Sequence, residues 1–449
     1  MIATSLFRQA VHALLALSLL AGCAARTGTI ADLERYPQDA ARALPVSAAP
    51  LVAEAEQARL DARYNERFFA PWEQSRASLP AAEAFWGIRS YDGRQGYGEN
   101  LQPIGREEWA RLVAALQREG YPSLARPAIT VRNSACRVFP THRPFFLDPA
   151  KAGEGFPFDY FQNSALWAGT PLLITHVSAD GAWYLAESAF VSGWVPAGDI
   201  AWTGKDFHDG YRTGRYAALL RDDVTLHDAN GAFLTKTHLG ALFPVAAQDE
   251  TGLMLLVPVR DADGLAALRT ARVTNEAAAL KPLPLEPTRI AELANRLLGQ
   301  RYGWGGLFEN RDCSATMRDL FTPFGIWLPR NSGDQAKAGT FHDFAGLARE
   351  EKRARIVRQG VPFYTLLWLK GHIGLYLGVE PESGEPLLLH NMWGARTTDW
   401  LGREGRAVIG RLAITTLAPG EERDDVEDGR FLERILGMTL LPGSPAGSR

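Results

Sequence analysis

At 449 residues the chain is too long for one ordinary domain, and its 46% hydrophobic and 22% charged residues supply ample material for buried cores. A net charge of -3 with no basic stripe excludes nucleic acid as the main partner, because nothing would neutralise phosphates. Three cysteines and nine histidines contain no C-x-x-C or His-x-x-x-His spacing, so neither a metal site nor a cofactor is expected.

The N-terminus reads as a targeting segment. Arg8 gives it a positive start, and Val11 to Ala21 is apolar but too short to span a bilayer. It ends in Leu20-Ala21-Gly22-Cys23, which resembles a bacterial lipobox, whose cysteine becomes the lipidated first residue. Ala24 after that cysteine points to the outer membrane, so residues 1–23 are expected to be a lipoprotein signal peptide on a periplasmic, lipid-anchored protein. Residues 24–50, rich in alanine, proline and small polar residues, read as a tether.

Residues 51–126 read as a helical N-terminal domain. Leu51 to Glu66 and Glu107 to Glu119 are expected helices, with Phe68, Phe69, Trp72, Phe85 and Trp86 between them as packing aromatics. From Pro127 short alternating runs separated by glycine and proline suggest small β barrels. Ala128 to Phe139 is strand-like and holds Cys136 as core filling. Pairing of Cys136 with Cys313 is rejected, because it would disable the stronger nucleophile candidate. Pro171 to Val177, Ala182 to Ala186 and Ser192-Gly193-Trp194-Val195-Pro196 follow the order of a bacterial SH3-like domain, assigned to 127–205. A second, less marked unit covers 206–280, and Lys281 to Pro287, with three prolines, is expected to be a stiff linker. Asp159-Tyr160 falls in a long loop of the first barrel. His142, His176, His208, His227, His238 and His342 stand alone and are assigned no chemistry.

The last unit, 288–449, carries the chemistry. Thr288 to Leu298 has helical spacing and stops at Gly299. A glycine-rich loop, Arg301-Tyr302-Gly303-Trp304-Gly305-Gly306, then leads to Asp312-Cys313-Ser314 and a second helical run. Cys313 is thus expected in a first helical turn, where free amides and the positive helix end favour a thiolate. The glycines are expected to let backbone and substrate approach closely. Leu366 to Val379 alternates like a strand, with His372, Gly374, Tyr376 and Gly378 on one face. His390 ends the next apolar run. A cysteine at a helix start followed by histidines on adjacent strands is the plan of a papain-like cysteine hydrolase.

The order Asp312-Cys313-Ser314, Gly371-His372-Ile373-Gly374 and His390 resembles the NlpC family of papain-like cell-wall peptidases. Tyr302 to Gly306 before the cysteine and Leu328-Pro329-Arg330-Asn331-Ser332 after its helix fit as well, although Ala315 replaces the usual glycine. The fold class is therefore expected to be α+β, a papain-like cysteine peptidase domain preceded by two SH3-like β barrels and a helical N-terminal segment. The most similar branch cleaves γ-D-glutamyl-L-diamino acid bonds of wall peptides, here L-Ala-γ-D-Glu-diaminopimelate. The resemblance implies Cys313 as nucleophile, His372 as base and His390 as its orienting partner. It also implies Tyr302 assisting the oxyanion, Trp304 walling the pocket, Asp312, Ser314 and Tyr160 binding the substrate amine, and Ser332 the D-glutamyl part. Asp312 is expected to lack a cationic partner until substrate brings one. No nucleic acid and no oligomer are expected. Two alternatives stay open, a cell-wall amidase of the same fold and a catalytically inactive wall-binding lipoprotein.

Overall fold

The computed structural model describes residues 29–46, 49–426 and 431–443, and counts below refer to these. Cys23 and the apolar segment before it lie outside the described residues. None of the described helices is long and apolar enough to cross a membrane.

A long helix wedges the molecule together. α1 (Glu54–Phe69) buries Tyr64, Phe68 and Phe69, and with Trp72 these pack on Ile129, Tyr211, Tyr216 and Leu242 of both barrels. Each such buried aromatic contributes on the order of 2–3 kcal/mol, so α1 fixes the barrels against each other. The second expected helix, α2 (Arg106–Ala115), lays Trp109, Leu112 and Val113 on the first barrel.

The first SH3-like barrel contains β1 (Arg126–Thr130), β2 (Ser134–Arg137), β3 (Gln162–Leu166), β4 (Pro171–Val177), β5 (Trp183–Glu187), β6 (Ser192–Pro196) and β7 (Ile200–Trp202), in the order β3-β2-β6-β5-β4-β1-β7. The run Ala128 to Phe139 is two strands, broken where Asn133 turns its side chain to accept from the Ala168 amide (3.1 Å). The second barrel holds β8 (Tyr216–Leu219), β9 (Val224–His227), β10 (Phe233–Thr237), β11 (Leu242–Asp249), β12 (Gly252–Arg260), β13 (Ala266–Thr274) and β14 (Ala278–Leu280). Its five-stranded sheet runs β13-β12-β11-β8-β14, beside the β9–β10 pair.

Two expected connectors belong to the folded body. Within the expected tether, Ile30, Tyr36, Ala40 and Ala43 are buried. Asp32 accepts there from the Thr416 amide (2.7 Å) and hydroxyl (2.8 Å). Small and apolar residues at close spacing let this segment lie flat on the C-terminal domain. In the proline-rich stretch after the second barrel, Lys281 is buried beside Asp61 and donates to Asn65 of α1 (2.7 Å). Leu285 beyond it is fully buried. That stretch is clamped under α1 and spans no gap.

The C-terminal domain starts with α3 (Pro287–Leu297), proline at its first turn and Gly299 in the left-handed region after it (φ 81°). α4 (Cys313–Phe321) lies on a six-stranded antiparallel sheet and is buried along its whole length. The sheet comprises β15 (Thr340–Asp343), β16 (Thr365–Leu369), β17 (His372–Val379), β18 (Pro386–Thr398), β19 (Glu404–Thr416) and β20 (Ile435–Leu440), ordered β15-β20-β16-β17-β18-β19. The alternating run Leu366 to Val379 is a hairpin. Gly371 turns the chain with φ 80°, and Leu369 pairs with His372 across the two-residue loop. Alternation carries through such a tight turn, so periodicity alone does not reveal it. This is the α+β arrangement expected, helical segment, two SH3-like barrels and papain-like domain.

Candidate active site

Cys313 opens α4, capped by the carboxylate of Asp312, which accepts from the Ala315 amide (2.8 Å). Its sulfur meets the backbone N–H of Ile373, which places the thiol beside His372 at the start of β17. On the neighbouring strand His390 is fully buried. Gly374 makes this pairing possible, because a Cβ there would sit 2.9 Å from His390 Cβ.

The hydrogen bonds fix the tautomers. Thr415 Oγ1 donates to the Thr416 carbonyl (2.7 Å), so toward His390 it acts as acceptor for Nε2–H (3.0 Å). His390 Nδ1 then accepts from His372 Nε2–H (2.8 Å). The nitrogen left with a lone pair on His372 is Nδ1, the one available to a thiol proton. Thr415 is a relay member that sequence reasoning missed; its only signal is position, on the strand paired with His390.

Burial, and next the Asp312 carboxylate, push the Cys313 thiol up to about 12, and burial pushes His372 down to about 4. Both shifts favour a neutral thiol beside a neutral imidazole over the expected thiolate, because desolvation and a neighbouring negative charge oppose the helix-end amides. Tyr302 is half-buried near Cys313 and Asp312, and desolvation first, then those groups, raise its phenol well above the usual value. It stays protonated and can donate.

The expectation that Asp312 waits for a cation is overturned. Arg330 Nη2 donates to its Oδ2 (2.6 Å) and Nη1 to its Oδ1 (3.1 Å), with Ser314 Oγ (3.1 Å) and the Gly305 amide (3.1 Å) completing the shell. Arg330 Nε also donates to Ser164 of the first barrel (2.8 Å). Arg330 stands in the stretch after the helix, and arginine is the residue suited to a buried bidentate carboxylate.

The first barrel forms one wall of the site. Phe158 meets Trp304 edge-on at 5.3 Å between centroids, and Tyr160 lies 5.7 Å from the same ring. Phe158 also approaches Tyr302 (6.3 Å) and Trp393 (6.4 Å). The loop that carries them is pinned by Asp159, which pairs with Arg137 (2.6 Å) and accepts from the Phe145 and Phe161 amides (2.9 Å each). The glycines before Cys313 serve this contact. A Cβ on Gly305 would meet the Gln162 carbonyl at 2.2 Å, and one on Gly306 the Ala165 nitrogen at 2.5 Å. They admit the β3 backbone where close approach of substrate was expected. Ser332 opens the short helix α5 (Ser332–Gln335), which packs on α4 and β17.

The second barrel supports the site from behind. Arg311, two residues before Cys313, is fully buried. It holds Asp222 of that barrel with Nη1 and Nη2 (2.8 Å each), the Leu239 carbonyl (2.9 Å) and Asp319 of α4 (2.7 Å). Trp167 of the first barrel donates to the same Asp319 (2.9 Å), and His238 bonds Glu309 (2.6 Å) nearby. His238, assigned no chemistry from sequence, is a partner in this junction. The Arg311 carbonyl accepts from Asn391 (2.9 Å), the residue after His390. Cys136 and Cys313 are both free thiols, the former buried under Gly193.

A cysteine at a helix start beside a histidine pair on antiparallel strands defines a papain-like cysteine hydrolase. Residues 299–398 match the NlpC/P60 family, preceded by an NLPC_P60 stabilising domain, N term (12–121), an SH3 domain of SH3b1 type (144–196) and one of SH3b2 type (205–250). The chain thus carries the domain set of an NlpC/P60 cysteine peptidase, an N-terminal stabilising domain, two SH3 domains and the NlpC/P60 catalytic domain. It is similar to the structure of an NlpC/P60 endopeptidase from Photobacterium damselae subsp. piscicida, at 26% identity and TM-score 0.79 over 90% of this chain and 97% of that one. An NlpC/P60 family protein from Bacillus cereus ATCC 10987 matches at 14% identity and TM-score 0.45, over 71% of this chain and 100% of that one. No curated protein matches the chain in sequence.

Proposed function

We propose that the enzyme is a cell-wall endopeptidase that hydrolyses the γ-D-glutamyl-L-diamino acid bond of peptidoglycan stem peptides and takes peptides with a free N-terminal L-Ala. The observation that carries this reading is the first barrel's loop against the catalytic groove, where Phe158 and Tyr160 close one end beside Trp304. A groove closed there suits a substrate with only one residue before the D-glutamyl unit.

The chemistry follows from the relay. As substrate enters, the Cys313 proton passes to His372 Nδ1 and the sulfur attacks the γ-carbonyl of D-glutamate. The oxyanion is met by the Cys313 amide in the first helical turn and by the Tyr302 hydroxyl. The imidazolium is held by its Nε2–H bond to His390. It then gives the proton to the leaving amine of the diamino acid, and water hydrolyses the thioester with His372 as base.

Asp312 already has Arg330, so the substrate amine is read by a shared carboxylate together with Ser314 and Tyr160. Preference for a free amine then rests more on the closed end than on an unpaired acid. Ser332 binds the D-glutamyl part. We place the enzyme as a monomer in the periplasm, held by lipid at Cys23 on the outer membrane. Incubation with L-Ala-γ-D-Glu-diaminopimelate and mass spectrometry should give L-Ala-D-Glu and free diaminopimelate. Release of L-Ala, or cleavage between muramic acid and L-Ala on a larger substrate, would contradict the assignment.

A further inference from the structure

The β18–β19 hairpin ends in Asp399-Trp400-Leu401-Gly402-Arg403, and its corner is locked. Asp399 accepts from the Leu401 and Arg403 amides (2.9 Å each) and from Arg403 Nε (2.8 Å), while Gly402 takes φ 75°. Polar residues usually occupy such corners. Here Trp400 is 84% exposed and Leu401 54%, held outward by a fixed turn. The hairpin is braced against the first barrel's long loop, where Arg406 donates to the Pro149 (3.4 Å) and Lys151 carbonyls.

The chain's N-terminal end reaches the same place. Asp32 sits at Thr416, while Ile30 packs on Met392, Ile409 and Ala413, so toward its N-terminus the chain follows β19 in the direction of the tip. Cys23 lies seven residues before Ile30, a reach of at most about 25 Å. Eight residues of strand, about 26 Å, separate Met392 from Trp400. A lipid on Cys23 and the Trp400 side chain can therefore lie at one level. Arg396, Arg403 and Arg406 flank the tip, Arg403 paired with Asp399 and Arg396 with Glu404, and the segment bonded to Thr398 adds Arg423, Asp424 and Asp425, so basic and acidic groups balance there.

We propose that Trp400 and Leu401 seat in the interfacial layer of the bilayer that holds the lipid anchor, a second contact that orients the catalytic domain. Tryptophan beside arginine suits that layer, where an apolar ring and a charged head are both satisfied. The proposal rests on the lipid-anchor reading. Its consequence is a fixed distance. Trp393 borders the active-site groove seven residues from Trp400, which sets the groove about 23 Å from the membrane surface.

The test uses the mature full chain carrying Cys313→Ala, with Leu401→Cys labelled by an environment-sensitive NBD dye and Phe233→Cys, exposed on the second barrel, as the control site. Both proteins are added to phosphatidylethanolamine/phosphatidylglycerol vesicles with and without doxyl lipids. The dye at 401 should shift to the blue and be quenched several-fold more than the dye at 233. Acyl labelling of Cys23, read on the same preparation, reports the anchor separately. Acylated, vesicle-bound protein with no shift at 401 overturns the tip contact. Absent acylation with a shift at 401 removes the anchor and keeps the tip, and absence of both overturns both. Binding of the tip to isolated wall sacculi in place of vesicles also overturns it.

Discussion

The two SH3-like barrels share a fold and both meet the stretch before Cys313, through different chemistry. The first sets Phe158 and Tyr160 against Trp304, and its buried Ser164 accepts from Arg330, the partner of Asp312. The second presents Asp222 to Arg311, a fully buried guanidinium two residues before the nucleophile, and touches no groove residue through that pair. On the proposed function one barrel selects what enters, and the other helps hold the loop before Cys313, a support that Trp167 of the first barrel shares through Asp319. What a domain does here follows from the chemistry at its contact surface, which the shared fold leaves open.

Four changes sharpen or break this comparison. The largest effect is independent of either barrel. Cys313→Ala should lower kcat by roughly 10⁴-fold or more with the melting temperature kept, checked by a stopped peptide assay and calorimetry. Asp222→Ala comes next. It leaves Arg311 charged in the interior, and removing one partner of a buried pair costs about 3–5 kcal/mol, read as a lower denaturation midpoint. The ratio of rates on free and blocked peptides should not move. A changed ratio with unchanged stability would put the second barrel in the groove.

His390→Ala should reduce kcat roughly 100-fold, since His372 loses the acceptor that fixes its tautomer but keeps its proton-transfer nitrogen. Phe158→Ala should cost less in rate, about tenfold in kcat/KM on the free peptide, and should raise activity on blocked peptide. Stability loss without a specificity change would reverse the roles of the two barrels.

The acid limb of kcat/KM gives a further check. His372 must be neutral to take the thiol proton, and burial lowers it to about 4, so activity should persist below the ordinary histidine range and fall near pH 4. The same depression makes stability present above the unfolded value of 6.5 and progressively lost between 6.5 and 4, because only the unfolded state gains the proton there. An acid limb near 6.5 would show that His372 is solvated in the working enzyme.

That Cys313, His372 and His390 come together was legible because each sits on an element with its own periodicity, α4, β17 and β18. The groove wall was not. Phe158 lies in a loop without periodicity, and nothing local distinguishes it from Phe156 or Tyr160. Partners of charges were equally hidden. Arg330 lies eighteen residues from Asp312, and Asp222 lies eighty-nine from Arg311. Only the folded chain brings them together, so an acid that reads as unpaired in sequence already has a cation in space. The segment Ile30 to Leu44 misled for a related reason, because alanine and small polar residues serve a tether and a close-packed surface equally well.

The closed groove is tested most directly by rates on two substrates measured side by side, L-Ala-γ-D-Glu-diaminopimelate and the same peptide amide-linked to muramic acid. The free peptide should be cut at least tenfold faster, on the order of the 1–3 kcal/mol lost when a polar contact is blocked. Equal rates on the two would show that the first barrel does not close the groove and would leave it no part in substrate selection.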